Sequence, residues 1–141
     1  MRILVPIDGT AASRRAVRFA TSLASAGADV HVILLNVQNR GTLGLSELGA
    51  EEPPDEARQA QRASDKVLGA AAALCREAAV SYETMAETGP AADTIARVAR
   101  DQGVDQIVMG TRGLNSLTGL LLGSVTTRTV HLADVPVTLI K

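Results

Sequence analysis

The chain has 141 residues and a mass of 14.6 kDa, and its 14 basic residues against 15 acidic ones leave a formal net charge of −1. That length suits one domain, residues 1–141, burying roughly two-thirds of its unfolded surface, and that balance excludes a general field drawing the protein to nucleic acid or an anionic membrane. One Phe, one Tyr and no Trp argue against single-strand nucleic-acid platforms and, more weakly, against a flavin sandwiched by aromatics.

The first predicted element is a strand at Ile3–Ile7, apolar throughout rather than alternating, as expected where both faces are covered. Pro6 near its end marks a strand terminus or an edge of pairing. Asp8-Gly9-Thr10 turns the chain off that strand, and Thr10 or Ser13 caps a helix to Ala26 with Ala16, Val17, Ala20, Leu23 and Ala24 inward. Gly27 is its natural stop. A second apolar strand covers Val30–Val37. Gln38–Pro54 holds glycines, two prolines and Glu47, Glu51 and Glu52 without a consistent period, and reads as a long loop. An alanine-rich helix follows from about Asp55 to Ala79, with Val67, Ala71, Leu74 and Ala78 at helical spacing, then a short strand around Tyr82–Ala86. Gly89-Pro90 opens a third helix whose apolar face is Ala91, Ile95, Val98 and Ala99, and Gly103 closes it. Ile107–Met109 is a strand, Val125–Ala133 a helix with Ser124 as N-cap, and Val135–Ile140 the last strand.

Strands and helices alternating in this way predict an α/β fold: an open, doubly wound, Rossmann-like sheet of five parallel strands in the order 3-2-1-4-5, with helices on both faces. The first and fourth strands are then neighbours whose connections leave in opposite directions, and ligands bind at such a switch point. Cys75 is the single cysteine, so no internal disulfide forms; it sits on an alanine-rich helix face as an inert packed thiol. Met1 leads straight into a strand without a signal-like leader, and no apolar run approaches the roughly 20 residues of a membrane span. The expected location is cytoplasmic.

The switch-point loops are Asp8-Gly9-Thr10 and the stretch Gly110–Ser124, which reads Gly-Thr-Arg-Gly-Leu-Asn-Ser-Leu-Thr-Gly-Leu-Leu-Leu-Gly-Ser. A strand that breaks at glycine and re-enters a helix at Gly-Ser is a phosphate-binding layout, because the first helical turn has N–H groups without internal partners and its dipole favours an anion. Glycines let the backbone approach that anion. The Ser124 hydroxyl and the N–H groups of Val125 and Thr126 are the candidate phosphate donors, with the Thr126 and Thr127 hydroxyls as extra ones. Arg112, between two glycines, is either a solvated turn residue or a charge-assisted phosphate contact. Plainer readings stand beside these: Gly123-Ser124 as a mere helix cap, Asp8 closing an Asx turn with Thr10, and Val37 and Met109 as strand-end core residues.

The spacing Gly110-x2-Gly113-x9-Gly123-Ser124, with Ile3-Leu4-Val5-Pro6-Ile7-Asp8-Gly9-Thr10 at one end and Val135-Pro136-Val137-Thr138-Leu139-Ile140 at the other, resembles the ATP-binding branch of the universal stress protein family over essentially the whole chain. The resemblance implies an ATP-binding regulatory or stress-response protein whose nucleotide contacts lie at Pro6, Asp8, Val37, Met109, Gly110, Arg112, Gly113, Gly123, Ser124, Val125 and Thr126. It implies that the residue at the Val37 position offers backbone groups to adenine, and that Asp8 meets the nucleotide at the ribose or through Mg²⁺ or Mn²⁺. It also implies a homodimer through Val135–Ile140, an apolar edge guarded only by Pro136 and Lys141.

Lysine occurs only at 66 and 141, so the Gly-Ser pair lacks the lysine of a Walker loop. His31 and His131 have no acidic or cysteine cluster at ligand spacing, and no nucleophile elbow is present. Binding with at most slow hydrolysis is the expectation, since phosphoanhydride cleavage needs preorganised charge and an oriented nucleophile. Other classes fit less well. A protein-interaction module of the same fold would depart from the glycine pattern. A phosphoacceptor receiver needs an acidic pair that Asp8 lacks, and a flavodoxin-like carrier would be yellow.

Overall fold

The computed structural model describes residues 1–39, 54–111 and 122–141. Nine elements alternate along it: β1 (Arg2–Pro6), α1 (Ala11–Ser25), β2 (His31–Gln38), α2 (Pro54–Glu77), β3 (Ser81–Thr88), α3 (Ala91–Asp101), β4 (Gln106–Gly110), α4 (Ser124–Leu132) and β5 (Val137–Ile140). The strands form one parallel sheet in the order β3-β2-β1-β4-β5, as the alternation predicts.

Successive side chains on a strand point to opposite faces, and both faces here are apolar and covered. Ile3, Val5, Val32, Leu34 and Val108 pack with Ala16, Val17 and Ala20 of α1 and Leu68, Ala71, Ala72 and Cys75 of α2. Leu4, Ile33, Leu35, Ile107 and Met109 pack with Ile95, Val98 and Ala99 of α3. Each such side chain fully buried stabilises by about 1.5–3 kcal/mol, so a one-residue slip of register is strongly opposed. Cys75 has no exposed surface, and burial pushes its thiol up to about 11. A thiolate nucleophile is thereby excluded at neutral pH.

Three sequence expectations shift. In α2 the buried face runs through Ser64, Leu68, Ala71, Ala72 and Cys75, with Val67 and Leu74 flanking it, whereas Ala78 is exposed because the helix ends at Glu77. Its stop is Ala79 at φ 53, where the chain has no glycine comparable to Gly27 or Gly103. β3 is longer than expected, pairing with β2 through Thr88; as an edge strand with half-exposed side chains it tolerates Glu83 and Glu87. β5 starts at Val137 rather than Val135, since Pro136 has no N–H and contributes only its carbonyl, to Ile107 N–H at 2.9 Å. The expected loop at Gln38–Pro54 lies almost wholly outside the described residues. Among the described residues no helix is long and apolar enough to cross a membrane.

One feature of register creates the site. β1 and β4 pair only at Ile3↔Gln106 and Leu4↔Ile107, whereas β1 and β2 pair as far as Pro6↔Leu35 and Ile7 N–H reaches Leu35 O at 2.7 Å. Backbone donors alternate between the two edges of a strand, so the N–H that Pro6 lacks is one that would face β4. Beyond Leu4 the two strands open a crevice.

Candidate nucleotide-binding crevice

That crevice is a cavity of about 320 Å³ at the carboxyl ends of the strands. Pro6 and Asp8 supply its wall on the β1 side, Val37 the end of β2, and Met109 and Gly110 the end of β4. The fourth wall is the start of α4, with Gly123, Ser124, Val125 and Thr126. Sequence spacing therefore picks residues that the fold brings to one place. Arg112 and Gly113 lie outside the described residues, and their proposed contacts with them.

The beginning of α4 corrects the expected cap. Gly123, not Ser124, is the N-cap, with extended φ −70° and ψ 160°, and Ser124 is the first helical residue. Gly123 N–H donates to Thr111 O at 2.8 Å and Gly123 O accepts from Thr127 N–H at 3.0 Å, which closes the first turn one residue earlier than serine capping would. The consequence is that the exposed Ser124 hydroxyl is not spent on the cap. Two other hydroxyls are spent. Thr126 Oγ1 donates to Gly110 O at 3.1 Å and is buried, tying α4 to the end of β4, and Thr127 Oγ1 donates to Gly123 O at 3.1 Å. These two side chains hold the helix start rather than serve as spare phosphate donors. The first-turn N–H groups keep that capacity, since an α-helix gives them no acceptor of its own.

On the opposite wall Asp8 closes the Asx turn: its Oδ1 accepts from Thr10 N–H at 3.0 Å and from Thr10 Oγ1 at 2.6 Å. Thr10 in turn caps α1, accepting from Ser13 N–H at 3.2 Å. Only one carboxylate oxygen of Asp8 is engaged by these bonds, so the same residue can shape the turn and offer its second oxygen to the crevice. No group of three or more His, Cys, Asp or Glu that could hold a metal ion occurs among the described residues.

Sequence reasoning missed the α3 wall. Ala91 and Ile95 also line the cavity, and the available signal was Gly89-Pro90, which starts α3 at the same edge of the sheet as α4. Arg128 of α4 grips Asp93 of α3 with two bonds, Nε to Oδ2 and Nη2 to Oδ1, both 3.1 Å. The hydrogen bond from Arg128 holds the Asp93 carboxyl below the usual range, against an opposing effect of desolvation and helped by the Arg128 charge. This bidentate pair aligns the two helix starts.

The model of the "Universal stress protein family" matches residues 1–141. A universal stress protein of Bacillus subtilis, YxiE, is 30% identical over 146 residues, spanning 99% of this chain and 98% of its own. Among solved structures, protein MJ0577 of Methanocaldococcus jannaschii superposes with a TM-score of 0.85 at 23% identity, covering 99% of this chain and 94% of that one. A universal stress protein of Arabidopsis thaliana solved with AMP bound superposes with a TM-score of 0.71 at 22% identity, over 100% and 91% of the two chains.

Proposed function

This chain belongs to the universal stress protein family, and we propose that within it the protein is a regulatory binder of adenine nucleotides, ATP foremost. The observation that carries the reading is the crevice itself: its described walls are an open strand end, a single carboxylate and the first turn of α4, which no side chain caps, a helix N-terminus that attracts phosphate. A relative of the same fold was solved with AMP. Pro6, Asp8 and Val37 then flank the nucleoside, and Met109 and Gly110 form the floor. Gly123, Ser124, Val125 and Thr126 face the phosphates, and Arg112 and Gly113, which lie outside the described residues, are proposed as further contacts. Asp8 fits as the protein's one carboxylate toward Mg²⁺ or Mn²⁺, an arrangement usual for Mg²⁺ when phosphates supply other oxygens. Bound there, the ion would neutralise phosphate charge.

Catalysis has little to work with. Among the described residues neither Lys66 nor Lys141 lines the cavity, and the one carboxylate that does, Asp8, already accepts two bonds from Thr10, so the expectation is hydrolysis that is slow at most. Several charge-assisted hydrogen bonds of about 1.5–3 kcal/mol each, less the cost of ordering, match micromolar affinity near −8 kcal/mol.

Thermal unfolding of nucleotide-stripped protein tests this directly. Mg-ATP at about a hundred times its dissociation constant adds about 2.7 kcal/mol, raising the midpoint by roughly 5–15 °C, with no response to GTP. Absence of a shift in folded, stripped protein would favour the interaction-module reading instead.

The same proposal includes a homodimer through the last strand. Among the described residues β5 is the last strand beyond β4, and all four of its residues are only partly buried, so its outward N–H and C=O groups, flanked by apolar side chains, are ones that a second copy can pair. The residue 1–141 chain is expected to sediment as a dimer. Backbone groups alternate between the two edges of a strand, and with Ile107 N–H on Pro136 O and Thr111 N–H on Ile140 O it is Val137 and Leu139 whose N–H groups face away from β4. Leu139→Pro should therefore shift the chain to monomer, and an unchanged dimer in that variant would move the interface elsewhere.

A further inference from the structure

Asn36 interrupts an otherwise apolar strand, Val32-Ile33-Leu34-Leu35-Asn36-Val37, and is 4% exposed. A buried amide is tolerated where its hydrogen bonds are made, and which groups Asn36 pairs with shows what it holds in place. Its two ends are engaged on different sides. Asn36 Nδ2 donates to Ile7 O at 2.6 Å, while Asn36 Oδ1 accepts from Ser64 Oγ and Gln38 Nε2, each at 2.7 Å. Ser64 is 1% exposed on α2, so the amide is braced from the helix side and its donor is aimed at β1.

The acceptor is the critical atom. Ile7 O and Asp8 N–H belong to one peptide plane, and Ile7 N–H is already held by Leu35 O at 2.7 Å. With Asn36 on the carbonyl, the backbone entering Asp8 is fixed at both ends, in a stretch where β1 no longer pairs with β4. We propose that Asn36 is the positioning residue of the crevice: braced by Ser64 and Gln38, it sets the peptide plane that presents Asp8, and so the wall that meets the nucleotide. This rests on the nucleotide-binding reading above.

The test compares Asn36→Asp, which keeps the acceptors but places a carboxylate against Ile7 O, with Val104→Ala, a core truncation at the far end of β4 that lowers stability without touching the crevice. Two readouts are taken on folded, stripped protein: Mg-ATP affinity by calorimetry, and ligand-free amide exchange at Ile7 and Thr10. Asn36→Asp is expected to weaken Mg-ATP at least tenfold and to speed exchange at both amides, while Val104→Ala stays within twofold in affinity. Asn36→Ser, too short to reach Ile7 O, takes the place of Asn36→Asp if that variant does not fold, with trimethylamine N-oxide added to all samples to favour the compact state. Affinity and exchange in the Asn36 variant equal to those of Val104→Ala would overturn the proposal. Should the unaltered protein itself fail to bind Mg-ATP, the nucleotide reading falls, and the exchange readout alone decides whether Asn36 positions the Asp8 turn.

Discussion

Gly110→Ala is expected to lower the unfolding midpoint by about 10 °C. A Cβ built on Gly110 would lie 2.7 Å from Ala12 Cβ, 3.0 Å from Ala12 C and 3.2 Å from Ala12 O. The first of these could be eased by a side-chain change, but the other two are backbone in the opening turn of α1. Relief therefore means moving α1 away from β4, and overpacking of this kind typically costs about 1–3 kcal/mol, occasionally more. At roughly 3–4 °C per kcal/mol for a domain between the small and medium sizes, the upper part of that range gives the stated loss. Ala12→Gly in the same molecule should restore part of it by removing the nearest atom. Thermal melts of the single and double variants check both statements, and a Gly110→Ala midpoint within about 2 °C of the unaltered protein would show that the two elements yield freely. Gly110 thus has a packing duty as well as a place on the crevice floor, and a binding defect in its variants follows from displaced Thr10 and Asp8 as readily as from a lost ligand contact.

Gly123→Val separates binding from stability in the opposite sense. Its backbone, φ −70° and ψ 160°, is one that valine adopts readily, and the bonds from Gly123 N–H to Thr111 and from Thr127 N–H to Gly123 O involve main chain only. Valine is a poorer N-cap than glycine, at a cost of about 1 kcal/mol, so the midpoint should fall by a few degrees. Binding should suffer far more if the proposed site holds: an isopropyl group at the head of the first turn would crowd the approach of a phosphate to the N–H groups of Val125 and Thr126. Affinity for Mg-ATP is expected to drop at least a hundredfold, and the roughly 5–15 °C stabilisation by nucleotide to vanish. Calorimetry on the folded variant decides it; affinity within threefold of the unaltered protein would place the phosphates away from α4.

Much of the architecture is legible from residue order because its signals are local. Largely apolar runs such as Ile3–Ile7 and Val30–Val37 suggest strands covered on both faces, and capping and stop residues such as Thr10, Gly27 and Gly103 act within one turn of the helices they bound. Right-handed crossovers then leave few ways to order five parallel strands, and the order places Asp8-Gly9-Thr10 beside Gly110 and Gly123. Tertiary structure decided the rest. Whether Gly123 or Ser124 caps α4 depends on Thr111 O being present to receive Gly123 N–H. Whether the Thr126 hydroxyl is free for a ligand depends on Gly110 O, 16 residues away in sequence. The duty of Gly110 comes from Ala12, and that of Asn36 from Ile7 and Ser64, partners that no spacing rule connects. Sequence by itself determined the elements, their order and the edge of the sheet where the crevice lies, because periodicity and chain chirality are properties of short segments. Which atoms in that crevice are already paired and which remain open was decided only in three dimensions, because hydrogen bonds act over about 3 Å of space and are indifferent to separation along the chain.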